Sequence, residues 1–319
     1  MFSQANGNHV QKKLGKTMQH HTPLLALSTI ILAATTGFAL GQDRRPFPNV
    51  VEGLAIIQRD ADLDNGTDFE TSRYYTRFST VRPVDQGASA GVAFSLGSLV
   101  YDFGSDDFDP WGDIRDIRVS VPVSFRVGER ASVFISPQAR WNYEKDASVS
   151  DGFTYGALTG VSWRINEKFA IGAGFGAFTQ LEDSGLDVFP SLLIDWQISD
   201  RWRLATGTGL GASEAPELVL SYKINETLSL SLAGRYEEIR FRLDDDGVAP
   251  GGVGEDENFP LILNVQYEPN PNFAVSVFTG AKFDGKLTIE NSSGNEIDRE
   301  SYDMEDTVAI FGLIARFRF

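Results

Sequence analysis

Apolar and polar residues alternate along most of this chain. Residues 120–127 have the sequence SVPVSFRV, residues 228–232 have LSLSL, and residues 273–278 have FAVSVF. A period of two places the apolar side chains on one face of a β-strand and the polar ones on the other. From Tyr74 onward the pattern therefore predicts a series of strands, each about ten residues long and apolar on one face only.

Short and long gaps separate these segments in alternation. The short gaps have hairpin-turn compositions, and the long ones are acidic and rich in glycine. Short turns at one end of a sheet and long loops at the other are typical of outer-membrane β-barrels, whose turns are periplasmic and whose loops are extracellular. The short gaps are residues 128–130, 166–168, 199–201, 225–227 and 270–272, and the long gaps are 104–113, 146–152, 183–187, 211–216, 244–258 and 291–306.

The number of strands follows from the same pattern. The alternation gives an odd number of segments, whereas bacterial single-chain barrels have an even number of strands. Residues 50–58, with the sequence VVEGLAIIQ, are the one remaining candidate. We predict an all-β, antiparallel, up-and-down transmembrane β-barrel of about 14 strands, with about 12 as the alternative. The other segments are residues 73–84, 88–103, 114–127, 131–145, 153–165, 169–182, 188–198, 202–210, 217–224, 228–243, 259–268, 273–290 and 307–319.

The first 41 residues have the features of a secretory signal peptide. Lys12, Lys13 and Lys16 precede an apolar run at residues 24–39, and Ala39 and Gly41 are small residues at a cleavage site. An uncleaved membrane anchor is the alternative, but the run is shorter than the ~18 residues of a spanning helix. We expect a cleaved signal peptide at 1–41, a segment at 42–72 that forms the first strand or a lumenal plug and an acidic loop, and a barrel at 73–319 in the cell outer membrane.

Composition narrows the functional classes. The chain has no cysteine, and its three histidines, His9, His20 and His21, all lie in the signal segment. The exported chain would therefore have no thiolate nucleophile, no lipid-anchor cysteine, no His general base and no His metal ligand. The formal charge is −16, and −19 without the signal segment, which argues against nucleic acid as a partner. We predict that the protein is not an enzyme.

Aromatic residues mark one membrane boundary. Trp163 and Trp196 shortly precede a short turn, and Phe169, Trp202 and Phe273 directly follow one. Amphipathic rings favour the headgroup level of a bilayer. These positions therefore predict a periplasmic aromatic girdle.

The C-terminal strand carries a resemblance of its own. Residues 311–319 have the sequence FGLIARFRF, with Phe317 and Phe319 on the apolar face. Such a last strand resembles the signal that the barrel-assembly machinery recognises in outer-membrane proteins. In addition, residues 189–203 (FPSLLIDWQISDRWR), 222–224 (YKI) and 228–234 (LSLSLAG) resemble a family of predicted outer-membrane barrels of unknown function. That resemblance extends from about Tyr74 to Phe319 and implies a fold but no activity.

Strand alternation also assigns the residues that line the lumen. If the apolar residues meet lipid, ten basic residues face inward, but only Asp195, Glu237 and Glu268 do so among the acids. A charged lumen attracts the opposite ion, so this set predicts a path or a site for small anionic solutes. Alternatively, the basic residues hold acidic loops or the N-terminal segment inside as a plug. The ten are Arg118, Arg126, Arg140, Arg164, Arg203, Lys223, Arg235, Lys282, Arg316 and Arg318.

Residues 60–70, with the sequence DADLDNGTDFE, resemble a calcium loop. Asp60, Asp62, Asp64, Asp68 and Glu70 are the candidate oxygen ligands. The glycine comes one residue later, and the last glutamate one residue earlier, than in an EF-hand. A solvated acidic loop explains the same residues and is favoured. We therefore predict no cofactor, with Ca²⁺ as the alternative.

Two functions fit these observations. One is a porin-like or solute-binding barrel with a basic lumen and acidic extracellular loops. The other is a structural or surface-interaction barrel with an occluded lumen and no transport. Outer-membrane lipid and the barrel-assembly machinery are the expected partners in both cases. The position of residues 42–72, in the wall or in the pore, would help to separate the two.

Overall fold

Fourteen antiparallel β-strands form one closed sheet. The structure is a computed structural model and describes residues 48–105, 108–182, 185–208, 216–302 and 308–319, so the predicted signal peptide lies outside it. The predicted barrel and its count of fourteen strands are confirmed. The strands are β1 (Asn49–Asp62), β2 (Asp68–Asp85), β3 (Ala88–Phe103), β4 (Ile114–Ser120 and Val123–Val127), β5 (Ala131–Glu144), β6 (Phe153–Asn166), β7 (Phe169–Thr179), β8 (Leu186–Gln197), β9 (Trp202–Thr208), β10 (Pro216–Lys223), β11 (Leu228–Gly234 and Glu237–Arg242), β12 (Val253–Asn270), β13 (Phe273–Glu290) and β14 (Glu296–Tyr302 and Val308–Arg318).

The first and last strands close the barrel. β1 pairs with β14 from Val50 opposite Arg318 to Gln58 opposite Ile310, and with β2 on its other edge. Asn49 and Phe319 exchange two backbone hydrogen bonds of 2.8 and 3.0 Å. Residues 49–62 therefore lie in the wall.

The outer face of the wall is apolar. On β12, alternate residues from Phe259 to Tyr267 point outward and are 40–48% exposed. Trp163, Trp196 and Trp202 also lie on the outer face, next to short turns, and the ring of Trp196 is 5.7 Å from that of Phe169. A continuous exposed apolar band of this kind suits contact with lipid. In the part of the chain that the structure describes, no helix is long and apolar enough to cross a membrane.

The ends of β11 and β12 that lie away from the short turns turn into the barrel. β11 is interrupted at Arg235 and Tyr236, and beyond them Glu237–Arg242 pairs with residues 253–258. Arg242 forms a parallel bridge with Tyr143 of β5. Around the wall, β5 is six strands from β11 in one direction and seven from β12 in the other, so this segment crosses the lumen. We call residues 237–258 the lumenal hairpin.

This arrangement corrects the prediction for residues 228–258. The sequence pattern assigned 228–243 to a wall strand and 244–258 to an extracellular loop. In the structure, residues 228–234 of this stretch lie in the wall. Residues 237–242 and 253–258 pair with each other as two inward strands joined by residues 243–252, and residues 253–257 also stay paired with residues 286–290 of β13. The physical reason is that neither face of residues 253–258, VGEDEN, is apolar enough to meet lipid.

The hydrophobic core lies inside the barrel, between the lumenal hairpin and one half of the wall. Phe69, Leu99 and Ile114 of the wall and Ile239 and Phe241 of the hairpin are completely buried. They belong to one cluster with residues of β1–β4, β13 and β14. The hairpin is thus packed against that half of the wall by apolar contacts.

Candidate functional site

All ten predicted basic residues point into the barrel. Arg126 and Arg164, for example, lie between outward neighbours, Phe125 and Val127 in one case and Trp163 and Ile165 in the other, that are 41–55% exposed. Several of them form ion pairs with carboxylates, so an inward position alone does not make them part of an anion path. The ten residues fall into three levels of the lumen.

The lowest level, near the short turns, is a basic vestibule. Arg203 donates to Asp195 at 2.8 Å, Arg318 donates to Glu268 at 2.8 Å, and Arg316 donates to Glu52 at 2.6 Å. Seven basic and three acidic side chains of the described wall face this space. They are Arg77, Arg126, Arg164, Arg203, Lys223, Arg316, Arg318, Glu52, Asp195 and Glu268.

The middle level is organised by Asp116 of β4. Its Oδ2 accepts hydrogen bonds from Arg140 at 3.1 and 3.2 Å and lies 3.5 Å from Arg118. Asp116 is 1% exposed. Two of the ten predicted residues therefore hold one buried carboxylate that the sequence analysis missed.

The highest level joins the wall to the lumenal hairpin. Arg73 of β2 contacts Glu237 on one arm of the hairpin and donates to Asp256 on the other arm at 2.9 Å. Asp256 also accepts hydrogen bonds from the hydroxyls of Tyr101, at 3.0 Å, and Tyr302, at 2.7 Å. We call these five residues, with Arg235 and Lys282, the buried network.

The two predicted basic residues of this level take part in the buried network. Arg235 donates to Glu237 at 2.6 and 2.9 Å, and its guanidinium lies 3.4 Å from Glu217. The ammonium of Lys282 lies 3.9 Å from Asp256 and 6.0 Å from the centre of the Tyr302 ring. Arg235 and Lys282 therefore form ion pairs with carboxylates of the hairpin. These pairs make both residues less available to bind an anion in the lumen.

The opposite face of the hairpin is charged and partly exposed. Glu238 and Arg240 alternate with the buried Glu237 and Ile239, so the adjacent glutamates 237 and 238 point to opposite faces. Arg240 contacts Glu255 and donates to Glu290 at 2.7 Å. The hydroxyl of Tyr236 donates to Glu257 at 2.5 Å.

Contacts at its far end also fix the hairpin. Arg242 contacts Glu182 and donates to the carbonyls of Leu181, at 3.1 Å, and Asp151, at 3.0 Å. The amide of Asn142 on β5 donates to the carbonyl of Arg240 at 3.0 Å. The hairpin is thus anchored on the wall opposite its origin.

The candidate calcium residues lie around the turn between β1 and β2, above the apolar band. The neighbouring side chain of Asp60, through a hydrogen bond, raises the pKa of Glu70 above its ordinary value. Among the residues that the structure describes, no three acidic or histidine side chains are grouped to hold a metal ion. Calcium binding by Asp60, Asp62, Asp64, Asp68 and Glu70 stays a prediction.

The two aromatic residues of the predicted assembly signal are on the outer face. Phe317 is 52% exposed and Phe319 is 70% exposed, and the Phe317 ring lies 4.9 Å from that of Phe273 on β13. Both are therefore accessible from the side of the barrel. Recognition by the assembly machinery stays a prediction.

Comparisons with known proteins give distant similarities only. No protein-family model and no curated protein matches the chain. The chain is similar to an outer membrane channel from Pseudomonas putida F1, at 10% identity and a TM-score of 0.49, over 87% of this chain and 97% of that one. It is also similar to a FadL homologue from Pseudomonas aeruginosa, at 11% and 0.46 over 85% and 90%, and to the NanC porin, at 10% and 0.39 over 84% and 100%. These similarities transfer no activity, and the resemblance to a family of barrels of unknown function is not confirmed.

Sequence analysis missed three inward residues of the wall. Arg73 and Arg77 fall on the polar face of β2, and Glu52 falls on the inner face of β1. Alternation could have placed all three inside. The partners of Arg73 could not be found this way, because Glu237 and Asp256 reach it only through the inward turn of the hairpin.

Proposed function

We propose that this protein is an outer-membrane channel for small solutes, narrowed in its extracellular half by the lumenal hairpin. The observation that supports it is the difference between the two faces of the hairpin. One face is dry and packed, whereas the other carries Glu238, Arg240 and Glu257 with part of their surface exposed. Charged groups are costly to bury without water or full pairing. The space beside this face is therefore expected to hold water.

The outer surface supports the membrane location. The exposed apolar band and the aromatic residues next to the short turns suit a bilayer, with the short turns in the periplasm and the acidic loops outside. Export through a cleaved signal peptide at residues 1–41 is part of the same proposal. Residues 42–319 contain no histidine or cysteine, so we assign no catalytic role.

We propose a modest preference for small anions. The seven basic and three acidic side chains of the vestibule give that level a net positive charge, which favours anions in a confined space. Glu238, Glu255 and Glu257 of the hairpin oppose it higher up, where Arg240 is their basic neighbour. The two levels partly cancel each other, so strict selectivity is not expected.

Reversal potentials in a salt gradient across a planar bilayer test the proposal. We expect conduction with a weak anion preference. The double variant Arg164→Glu and Arg203→Glu should shift the preference towards cations, and Glu238→Gln should shift it further towards anions. A cation preference that the vestibule variant leaves unchanged would contradict the role of the vestibule.

An occluded barrel without transport is the second candidate. The apolar core inside the barrel, with Phe69, Phe241, Leu287 and Tyr302 fully buried, favours it. The same bilayer recordings separate the two, because an occluded barrel would give no conductance steps at any voltage at which the bilayer is stable.

A further inference from the structure

Two inward arginines on β2 have different kinds of partner. Arg77 donates to Glu52 at 2.8 Å, and Glu52 is on the neighbouring wall strand β1. Arg73, four residues away on the same strand, reaches across to Glu237 and Asp256 of the lumenal hairpin. Arg77 therefore joins wall to wall, whereas Arg73 joins the wall to both arms of the hairpin.

The environment of Arg73 is dry. The side chains of Arg73, Glu237 and Asp256 are 3%, 2% and 0% exposed. A buried ion pair that loses one partner leaves an uncompensated charge away from water. Without Arg73, Asp256 would keep Lys282 at 3.9 Å and Glu237 would keep Arg235, so the two arms would share two cations where they now share three.

The surroundings give Arg73 a fixed geometry. Gly285 leaves room for the ring of Tyr302, since a Cβ there would lie 2.0 Å from that ring. The Tyr302 and Tyr101 hydroxyls then hold Asp256 from two directions. A planar guanidinium can bind both carboxylates at once from one fixed position, which a lysine ammonium does less well.

We propose that Arg73 is the positioning residue of the lumenal hairpin and thereby sets the width of the pore. This rests on the proposed channel function. Loss of the guanidinium favours states in which Glu237 and Asp256 turn towards water. Because residues 253–257 stay paired with residues 286–290 of β13, these states chiefly move the arm at residues 237–242 away from its half of the wall. The passage beside the hairpin then widens.

Conductance measures the first consequence. We expect Arg73→Gln to raise single-channel conductance about two-fold or more and to weaken ion preference, because selectivity falls as a pore widens. Arg77→Gln is the matched control on the same strand: it removes one vestibule charge, so its ion preference should shift towards cations, but its pore should not widen and its conductance should not rise. Arg73→Lys should give an intermediate value. Heat-modifiable mobility on gels verifies that each barrel is folded.

Thiol labelling measures hairpin position without any need for conduction. The chain has no cysteine, and Ile239, 0% exposed, lies between the hairpin and the wall. Ile239→Cys alone should resist a membrane-impermeant maleimide added to folded protein, whereas Ile239→Cys with Arg73→Gln should react at least several-fold faster. Ile239→Cys with Arg77→Gln should resist it. If Arg73→Gln does not fold, Arg73→Lys serves in both measurements.

The outcomes separate the two proposals. Equal labelling and equal conductance in the Arg73 and Arg77 variants would overturn the positioning role. Faster labelling of the Arg73 variant without conductance in any protein would support the positioning role and refute the channel. Conductance that appears only in the Arg73 variant would support the positioning role and show that the unaltered barrel is occluded.

Discussion

At the residue scale, the level of a charged side chain in the barrel decides whether it contributes mainly to ion preference or to stability. Arg316 and Arg318 pair with wall carboxylates and stay partly exposed, whereas Arg73 and Arg235 are buried with theirs. Exposed ion pairs contribute at most about 1 kcal/mol, but breaking a buried pair costs about 3–5 kcal/mol. Arg318 pairs with the partly exposed Glu268, so its substitution should change ion preference and leave stability nearly unaltered. Arg316 pairs with the buried Glu52, so its substitution should also destabilise the barrel.

A glycine in the buried network gives a residue-scale prediction about stability. A Cβ at position 285 would overlap the Tyr302 ring, so Gly285→Ala should displace that ring and destabilise the folded barrel by about 1–3 kcal/mol, as overpacking does. Gly53→Ala is the control, because nothing lies within 4 Å of the added methyl group. The measurement is the urea or temperature midpoint at which the compact gel form is lost. Equal midpoints for the two variants would contradict the packing at Gly285.

At the element scale, alternation predicted the wall strands well and the lumenal hairpin poorly. Lipid demands an apolar outer face, so Trp163 beside Arg164 and Phe317 beside Arg318 fix the direction of each side chain. In Glu237–Arg242, Ile239 and Phe241 also alternate with charges, and the same rule would place them against lipid. They face the core inside the barrel instead. Tertiary packing distinguishes the two outcomes, and the one sequence signal was the run of three consecutive acids at residues 255–257.

β1 shows a second limit of the sequence pattern. Leu54 and Ile56 point inward and are buried, while Ala55 and Ile57 point outward. A strand that is apolar on both faces carries no period-two signal, so its direction follows only from its partners. The sequence predicted β1 because a barrel needs an even number of strands. The buried core to which the inner face of β1 contributes forms only with the lumenal hairpin in place.

The last strand gives an element-scale prediction about assembly. Phe319→Asp should sharply lower the amount of folded protein in the outer membrane while export continues, because Phe319 is the exposed apolar end of β14. Ile297→Asp is the control on the same strand, since Ile297 is 48% exposed and lies in the acidic part of β14 away from the short turns. Quantitative immunoblots of membrane fractions and of periplasm measure both. Normal levels of the Phe319→Asp variant would exclude Phe319 as a recognition element.

At the scale of the whole molecule, an apolar exterior surrounds an interior that is both packed and charged. A soluble domain usually has its hydrophobic core between two layers of secondary structure. Here the hydrophobic core lies inside a single closed sheet. A closed sheet has no free edge, which makes such barrels resistant to detergent. The acidic net charge of −16 is concentrated in the loops and hairpin, away from the basic vestibule.

At this scale we predict that the protein is located in the outer membrane. The exported chain should separate with outer membranes, and its gel mobility should change on boiling because the closed sheet survives detergent at room temperature. Sucrose-gradient fractionation followed by electrophoresis of heated and unheated samples is the measurement. Recovery as a soluble periplasmic protein would refute the membrane location.

The pairing of β1 with β14 brings the first and last strands of the barrel side by side. Because Asn49 and Phe319 are hydrogen-bonded neighbours, a short peptide could join them and a new start could be made at any of the short turns, such as residues 166–168. Such a circular permutant would form the same barrel wall from strands that follow one another in a different sequence order. Its terminal phenylalanine would become internal, so the ability of the permutant to insert would separate the residues that specify the fold from the predicted assembly signal at Phe317 and Phe319.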